Sequence, residues 1–209
     1  SGPGSLRAAF ANAVDNETID LTQLVCSRIT LGSALVDPVA ATNVTLLGPG
    51  RELLMIDGAG LYQVLVHRGN GGLHVDHLTV ANGHYGGTRG GCIYSAGGLE
   101  AYGTAVSSCV LDTAENFAYG GAIYAKDTVS LFDSTVSDSS VKAAVTGRAR
   151  GGGVFSQGIL MSRSTIRLHL SPNTSRLRLM GQAERGSWFT FGFRRNCLQH
   201  NTRLPQRQC

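Results

Sequence analysis

The chain has 209 residues, of which 15% are charged, 42% are hydrophobic and 28 are glycine. This length suits one sizeable domain or two small ones, and no stretch approaches the roughly 18 consecutive apolar residues of a membrane-spanning helix. The net charge of +4 divides unevenly, because residues 1–166 carry ten Lys or Arg and thirteen Asp or Glu, whereas residues 167–209 carry eight Arg and one Glu. The body is therefore mildly acidic and the tail strongly basic.

The N-terminal stretch SGPGSLRAAF contains neither the basic segment nor the apolar run of a signal peptide. Residues 5–14 predict a short helix instead, because good helix formers follow Ser5, a favourable N-cap residue. We expect this helix to cover the end of the domain that follows it.

A short pattern then repeats along the chain, in which two apolar residues stand two positions apart. Such pairs begin near residues 19, 44, 73, 99, 129 and 159. The spacing between successive pairs is 25 to 30 residues, which is typical of solenoids and propellers. Alternation at a period of two indicates a strand with one buried face, so each unit begins with a short strand.

In the last four units, two residues follow the first apolar pair and a second alternating pair comes next. A continuous flat strand would turn that second pair to the wrong face, so we expect the chain to bend there. In three units a Gly-Gly corner precedes a further apolar segment, at Ile93-Tyr94, Ile123-Tyr124 and Val154-Phe155. Three short strands per unit predict a coil of a parallel β-helix, whereas a propeller blade needs about 40 residues and four antiparallel strands.

Stacked coils would place equivalent residues above one another, about 4.8 Å apart. One column, predicted to face the core, contains Val80, Val106, Val136 and Ile166. A second column, predicted to face outward, contains Thr79, Ala105, Thr135 and Thr165. Tyr94, Tyr124 and Phe155 would form an aromatic ladder, which more often stabilises a coil stack than binds sugar.

The five cysteines are widely spaced and include no C-x-x-C pair, so neither a zinc site nor a disulfide framework is indicated. Cys92 and Cys109 fall in one coil, at sites that Ala122 and Ser139 occupy in the next coil. Because small residues occupy these sites, we expect Cys92 and Cys109 to be buried free thiols.

The segment GGAIYAKDTVSLFDSTVSDSS at residues 120–140 resembles the repeats of pectate-lyase-like bacterial surface and secreted proteins, among them the polymorphic outer-membrane proteins. GSLRAAFANAV and ETIDL are similar to the CSLREA-type opening of these proteins, with Gly4 in place of its Cys and Ala8 in place of its Glu. VTLLGPG and MIDGAG are similar to two further motifs of the family. The resemblance covers roughly residues 4–166 and implies a single-stranded right-handed parallel β-helix of about six coils with a short N-terminal capping helix.

The resemblance implies function less directly, because this fold carries lyases, hydrolases, adhesins and inert stalks alike. The expected role is a non-catalytic, exported surface or passenger module, a stalk or adhesin located at the cell surface or outside the cell. Its expected partners are surface glycans or other extracellular ligands, with no nucleic acid and no membrane-spanning segment. The alternative is a carbohydrate-active enzyme, a polysaccharide lyase or glycoside hydrolase on the same fold.

Such an enzyme would need acidic and basic side chains gathered on one outer face. The best candidates are Asp76, His77, Asp133 and Arg163, which would share the corner after the first strand of a coil. The aspartates have a structural alternative, because Asp at a coil corner can hydrogen-bond its own backbone. His77 and the nearby His74 are more typical of surface histidines than of a metal pair, so we expect no metal and no other cofactor.

The repeat breaks off near residue 166, and the sequence after it contains the only Trp and no Gly-Gly corner. We therefore divide the chain into an N-terminal cap at residues 1–15, a β-helix at 16–166 and an atypical basic tail at 167–209. The tail is either an improvised cap, in which SWFTFGF lies across the open end of the core, or sequence read out of frame. A change of composition inside a repeat favours the second interpretation.

Overall fold

The computed structural model describes residue 2, residues 4–168 and residues 190–192, with side chains as far as Ser162. Helix α1 spans Leu6–Ala11. The strands of the described residues, in chain order, are β1 Glu17–Asp20, β2 Arg28–Thr30, β3 Leu35–Val36, β4 Val44–Leu47, β5 Met55–Asp57, β6 Leu65–His67, β7 Gly72–Asp76, β8 Thr79–Ala81, β9 His84–Tyr85, β10 Ile93–Ser95, β11 Gly98–Tyr102, β12 Ala105–Ser107, β13 Val110–Asp112, β14 Phe117–Tyr119, β15 Ile123–Ala125, β16 Val129–Lys142, β17 Arg148–Arg150, β18 Val154–Ser156, β19 Leu160–Leu168 and β20 Thr190–Gly192.

These strands stack in parallel into three columns, and the chain winds through them as a right-handed β-helix. The first column is β1-β4-β7-β11-β16-β19, the second is β2-β5-β8-β12-β16 and the third is β3-β6-β10-β15-β18. The rungs of the first column enclose about five turns. The predicted fold class is therefore confirmed, including the short helix near the N-terminus.

The predicted bend after the first strand of each coil is present, and left-handed backbone produces it. His77, Gly103 and Asp133 hold equivalent positions there, with φ of 54°, 59° and 44°. The same left-handed conformation occurs at a second corner, at Asn82 and Asp138, with φ of 53° and 49°. Gly, Asn and Asp tolerate this conformation better than other residues, which explains why they recur at these corners. The 14-residue β16 passes through both corners.

The core consists of aliphatic side chains at equivalent positions of successive strands. They form columns of residues that run along the solenoid axis inside the three columns of strands. The columns are Val44, Leu73, Leu99, Val129 and Leu160; Leu46, Val75, Ala101 and Leu131; Ile56, Val80, Val106 and Val136; and Leu65, Ile93, Ile123 and Val154, and all of these side chains are buried. The register joins Val80, Val106, Val136 and Ile166 as predicted. Parallel pairing in register thus stacks similar residues on one another, and this buries one face of every rung.

The Gly-Gly corner requires glycine for two separate reasons. Gly90, Gly120 and Gly151 have φ of 65°, 72° and 66°, in the left-handed region. A Cβ added at Gly120 would lie 2.0 Å from the carbonyl oxygen of Ile123, so no side chain fits there. The repeated glycines therefore mark a close backbone approach at this corner.

Helix α1 covers the N-terminal end of the solenoid. The Ser5 side chain accepts a hydrogen bond from the Ala8 N–H, which makes Ser5 the N-cap as predicted. Phe10 is fully buried in the core. The Arg7 guanidinium donates to the carbonyl oxygens of Ala34 and Ser33, at 2.6 and 2.7 Å, and so ties the helix to the first coil.

The register of the first rung differs from the prediction. Ile19 pairs with Leu46 and not with Val44. A shift of two residues leaves Ile19 on the buried face, so the sequence pattern alone cannot distinguish the two alignments.

The last rung is also displaced, but by one residue. Val129 pairs with Leu160 and not with Ile159, so Leu160 is the buried side chain. The predicted alignment returns at Thr165, because only one residue separates Arg163 from Thr165. The corner of the last rung is therefore one residue shorter than the corner of β16, which restores the predicted alignment.

The expectation of free thiols at Cys92 and Cys109 is wrong, because these residues form a disulfide bond. Both are fully buried, and the bond connects the residue before β10 to the end of the loop after β12. The sequence did not indicate this disulfide, because the small residues at equivalent sites in the next coil show only that the site has little room. Cys26 is free and exposed.

A buried polar pair interrupts the apolar interior near the third column. The Nδ1 of His67 lies 2.5 Å from an Asp37 carboxylate oxygen, and neither side chain has any exposed surface. The second Asp37 oxygen accepts from the Arg68 backbone N–H at 2.7 Å, whereas His67 Nε2 has no hydrogen-bond partner among the described residues. This pair fixes the corner that leads from the third column into the next coil.

Strand β20 pairs in parallel with β19, in the register Thr165 to Thr190 and Ile166 to Phe191. A segment of the predicted tail thus adds to the second column, since Thr165 and Ile166 align with Thr135 and Val136. Residues 169–189 and 193–209 lie outside the described residues, so the domain division and the two interpretations of the tail stay predictions. No helix of the described residues is long and apolar enough to cross a membrane.

Replacing Asp37 with alanine should lower the free energy of unfolding by about 3 kcal/mol, because it leaves the buried His67 Nδ1–H and the partly buried Arg68 N–H without an acceptor. Asp127→Ala is the matched control, since Asp127 is exposed, and it should change the value by less than about 0.5 kcal/mol. Urea denaturation measures both. Equal effects of the two substitutions would contradict a stabilising role for the buried pair.

Removal of the disulfide by Cys92→Ala with Cys109→Ala should lower the free energy of unfolding by about 3 kcal/mol, because the closed loop restricts the unfolded chain. The wild-type protein in a thiol reductant should unfold at the same urea concentration as this variant. Cys26→Ser should behave as wild type with and without reductant. Alkylation of Cys92 in denaturant without reductant would show that the bond is absent.

Candidate functional site

Asp76 and His77 lie together at the corner that ends a strand of the first column. Asp76 is the last residue of β7 and points outward, because Leu73 and Val75 alternate with it and face the core. His77 follows in the left-handed conformation, and its side chain is exposed. The predicted proximity of this pair follows from the corner geometry.

Asp133 lies at the same corner two rungs further along the axis, since Tyr102 pairs with both Asp76 and Phe132. Two rungs correspond to about 10 Å. The Arg51 Nη1, in the loop after β4, donates to the Asp133 carbonyl oxygen at 2.6 Å and lies 3.9 Å from its carboxylate. Asp133 is therefore paired with an arginine 82 residues away, and no sequence signal suggested that contact.

The fourth candidate, Arg163, does not lie opposite Asp133 as predicted. It pairs with Phe132, because the register of the last rung is displaced by one residue. The corner therefore brings Asp76 next to His77, whereas Asp133 lies two rungs away at the position of His77, and Arg163 lies three rungs away at the position of Asp76.

The surroundings of Asp76 raise the pKa of its carboxyl group above the ordinary value. Burial is the largest cause, since it disfavours the charged form. The positive charges of His74 and His77 and a hydrogen bond with the Tyr102 backbone act in the opposite direction, while the negative charge of Glu100 raises the pKa further.

Glu100 is a site residue that the sequence prediction missed. It pairs with His74 in the neighbouring rung and, like Asp76, lies on the outer face of the first column. The diagonal offset of one strand and two residues places Glu100 about 8 Å from Asp76 between Cβ atoms. The repeat alignment contained this information, because Glu100 precedes Tyr102 by two residues just as His74 precedes Asp76.

One histidine of this face contacts an aromatic neighbour. The ring centroids of His77 and Tyr102 are 5.3 Å apart, and His74 lies on the outer face between buried residues of β7. In the part of the chain that the structure describes, no three His, Cys, Asp or Glu side chains are grouped closely enough to hold a metal ion. The face offers one partly desolvated carboxyl group next to a second carboxylate and two histidines.

The predicted aromatic ladder forms on the third column. Tyr94, Tyr124 and Phe155 stack with successive ring centroids 5.6 Å apart and interplanar angles of 4° and 10°. Arg89 lies over the Tyr124 ring, 5.2 Å from its centroid, and Gln157 donates to the Tyr124 hydroxyl at 2.8 Å. Tyr124 is only 1% exposed, so the middle of the ladder stabilises the coil stack and offers no open face to a sugar.

The charged neighbours of Asp76 predict that two substitutions shift its pKa in opposite directions. Glu100→Gln removes a neighbouring negative charge and should lower the pKa of Asp76, whereas His74→Gln removes a positive charge and should raise it. Carboxyl carbon NMR titration measures both. Lys126→Gln, a substitution on the third column, should leave the pKa unchanged. A shift of the same sign in both site variants would show that these three side chains do not share one environment.

Comparison of the chain with protein-family models, with curated proteins and with solved structures finds no match in any of the three. The assignment of a parallel β-solenoid therefore rests on the pairing register and on the burial of the aliphatic columns. The chemistry of the outer faces has to be argued from their own side chains.

Proposed function

We propose that the chain is a non-catalytic β-helix module of an exported surface protein, a stalk or adhesin-like solenoid of the pectate-lyase-like, CSLREA type. The observation that carries this proposal is the dispersal of the four candidate site residues. Asp133 is engaged by Arg51, and Asp76 lies about two rungs, or 10 Å, away from it. A site for acid–base chemistry needs its groups within reach of one substrate bond, and the carboxylates of Asp76 and Asp133 are too far apart to meet at one.

The disulfide supports the exported location. Disulfides persist in secreted, periplasmic and surface proteins and are rare in reducing compartments. The bond between Cys92 and Cys109 lies in the middle of the solenoid and is fully buried, so it belongs to the folded core and is shielded from exchange with thiols in solution.

The regular stack supports a role as stalk or passenger. Each coil pairs chiefly with the coils before and after it, as the strand pairing of all three columns illustrates. In such a fold the length grows with the number of repeats, and the outer faces can vary without disturbing the aliphatic core. These are the properties that a surface module needs to present a ligand-binding face away from a membrane or cell wall.

One observation favours the alternative, a carbohydrate-active enzyme. Asp76 has a raised pKa, as a general acid requires, and Glu100 lies on the same face with about 8 Å between the two Cβ atoms, a spacing from which the side chains can place their carboxyl groups in the range of an acid–base pair. Inverting glycosidases separate their two carboxyl groups by about 6.5–9.5 Å. In this alternative Asp76 would protonate the leaving oxygen and Glu100 would activate a water molecule.

The two functions predict different outcomes in one assay. The purified chain should release no new reducing ends and no unsaturated products from a panel of acidic and neutral polysaccharides, between pH 4 and pH 8. Asp76→Asn and Glu100→Gln should leave this background unchanged. Turnover that disappears in both variants, and persists in Asp127→Asn, would overturn the proposal and establish the enzyme.

A further inference from the structure

A short parallel ladder projects from the solenoid between its second and third columns. It consists of β14 and β17, joined by an isolated bridge from Arg89 to Tyr119. In its register Arg89, Tyr119 and Arg150 stand above one another, and Phe117 stands next to Arg148. We call these five residues the side ladder.

The side ladder directs its large side chains to one face. Ala118 is buried in a small apolar cluster with Leu111 and Val141, against which Ala149 packs. Because neighbouring residues of a strand point to opposite faces, Phe117, Tyr119, Arg148 and Arg150 project away from that cluster. Tyr119 packs against Phe155, with ring centroids 4.8 Å apart, which attaches this face to the aromatic stack of the third column.

Backbone hydrogen bonds hold the side ladder in place before any ligand arrives. The Tyr119 N–H donates to Thr88 at 2.9 Å, the Gly120 N–H donates to Arg150 at 2.9 Å, and the Arg148 N–H donates to Asn116 at 2.8 Å. The Gln63 side chain donates to the Arg89 carbonyl oxygen at 2.9 Å. A binding surface on this frame would lose little conformational entropy on association.

The arginines of the side ladder have no acidic partner. Among the described residues, no carboxylate lies within ion-pair distance of Arg89, Arg148 or Arg150, although the body of the chain carries a net negative charge. Asp112, on the neighbouring β13, is occupied by Lys142 at 3.2 Å. Phe117, next to Arg148, is 49% exposed. Three cations without an acidic partner and an exposed ring thus share one surface, and Arg89 also lies over the Tyr124 ring.

We propose that the side ladder binds an acidic polysaccharide, with the arginines contacting carboxylate or sulfate groups and Phe117 packing against the apolar face of a sugar ring. Arg89 and Arg150 lie two rungs apart, about 10 Å, which is close to the length of a disaccharide unit. A polymer with an anionic group on every second sugar can therefore contact both arginines while running along the solenoid axis. Guanidinium groups suit this role because they bind carboxylate and sulfate oxygens through paired hydrogen bonds.

The choice of a polysaccharide over a nucleic acid rests on the exported location proposed above. A binding measurement in solution tests the polysaccharide site separately from the proposed function, because binding does not depend on where the protein is located or on the absence of turnover. The probes are hyaluronan, with one carboxylate per disaccharide, chondroitin sulfate, uncharged dextran and single-stranded oligothymidylate.

We expect the full chain to bind hyaluronan and chondroitin sulfate but not dextran in isothermal titration at low salt. Arg89→Gln with Arg150→Gln should weaken binding at least about tenfold and reduce its salt dependence. Arg89→Lys should weaken binding less than the double substitution, because it keeps the charge but loses the paired hydrogen bonds. Phe117→Ala should weaken binding about fivefold without altering the salt dependence.

The basic tail requires a matched control, because it could attract any polyanion. Arg194→Gln with Arg195→Gln removes the same charge from the tail, and Arg68→Gln removes an exposed charge from another corner; both should leave the affinity within about twofold. Circular dichroism confirms that each variant is folded. The proposal is overturned if neither acidic polysaccharide binds, if the tail variant weakens binding as much as the side-ladder variant, or if oligothymidylate binds more tightly than both polysaccharides.

Discussion

The hydrogen bonding between consecutive rungs is the constraint on which the rest of the molecule depends, and it continues through the corners. The His77 N–H donates to Tyr102 at 2.8 Å, and the Gly103 N–H donates to Phe132 at 3.0 Å, although both donors lie at the bend. Left-handed backbone at these positions lets the chain turn while its N–H groups stay aligned with the next rung. Because the register is kept through the bends between β7, β11 and β16, the core columns and the outer faces of these coils have the same spacing.

Features that repeat in several coils could be predicted from the sequence. The bend, the inward valine column and the glycine corner recur at near-constant spacing, so each occurrence supports the others. The aromatic ladder follows for the same reason, since Tyr94, Tyr124 and Phe155 occupy one position in successive units. Periodicity is strong evidence where local geometry alone determines the structure.

Features that occur once could not be predicted in this way. The Arg51–Asp133 contact depends on a loop that leans across several rungs, and no spacing rule describes it. The disulfide depends on two residues that face each other from different strands, and the pairing of single cysteines is not encoded in a repeat. Glu100 lies diagonally from Asp76 and not at an equivalent position of the repeat, so alignment of the coils alone does not place the two carboxylates together.

The acidic candidate site and the cationic side ladder lie on separate faces of the solenoid. Asp76 and Glu100 lie on the outer side of the first column, whereas the side ladder projects between the second and third columns. The acidic face and the cationic face therefore do not neutralise one another, and an anionic polymer would be repelled by the first and attracted by the second. A single rigid solenoid can thus present two chemically different surfaces to its surroundings.

The position of the disulfide has a mechanical consequence. Cys92 and Cys109 are 17 residues apart, and the segment between them forms β10, β11 and β12, which is more than half of one turn. When the two ends of the chain are pulled apart, coils can detach one after another, but the segment enclosed by this bond cannot lengthen. Tension would pass from Cys92 directly to Cys109 and bypass three strands. A module that anchors a cell to a surface under flow would keep this central turn closed while the coils on either side extend and recover.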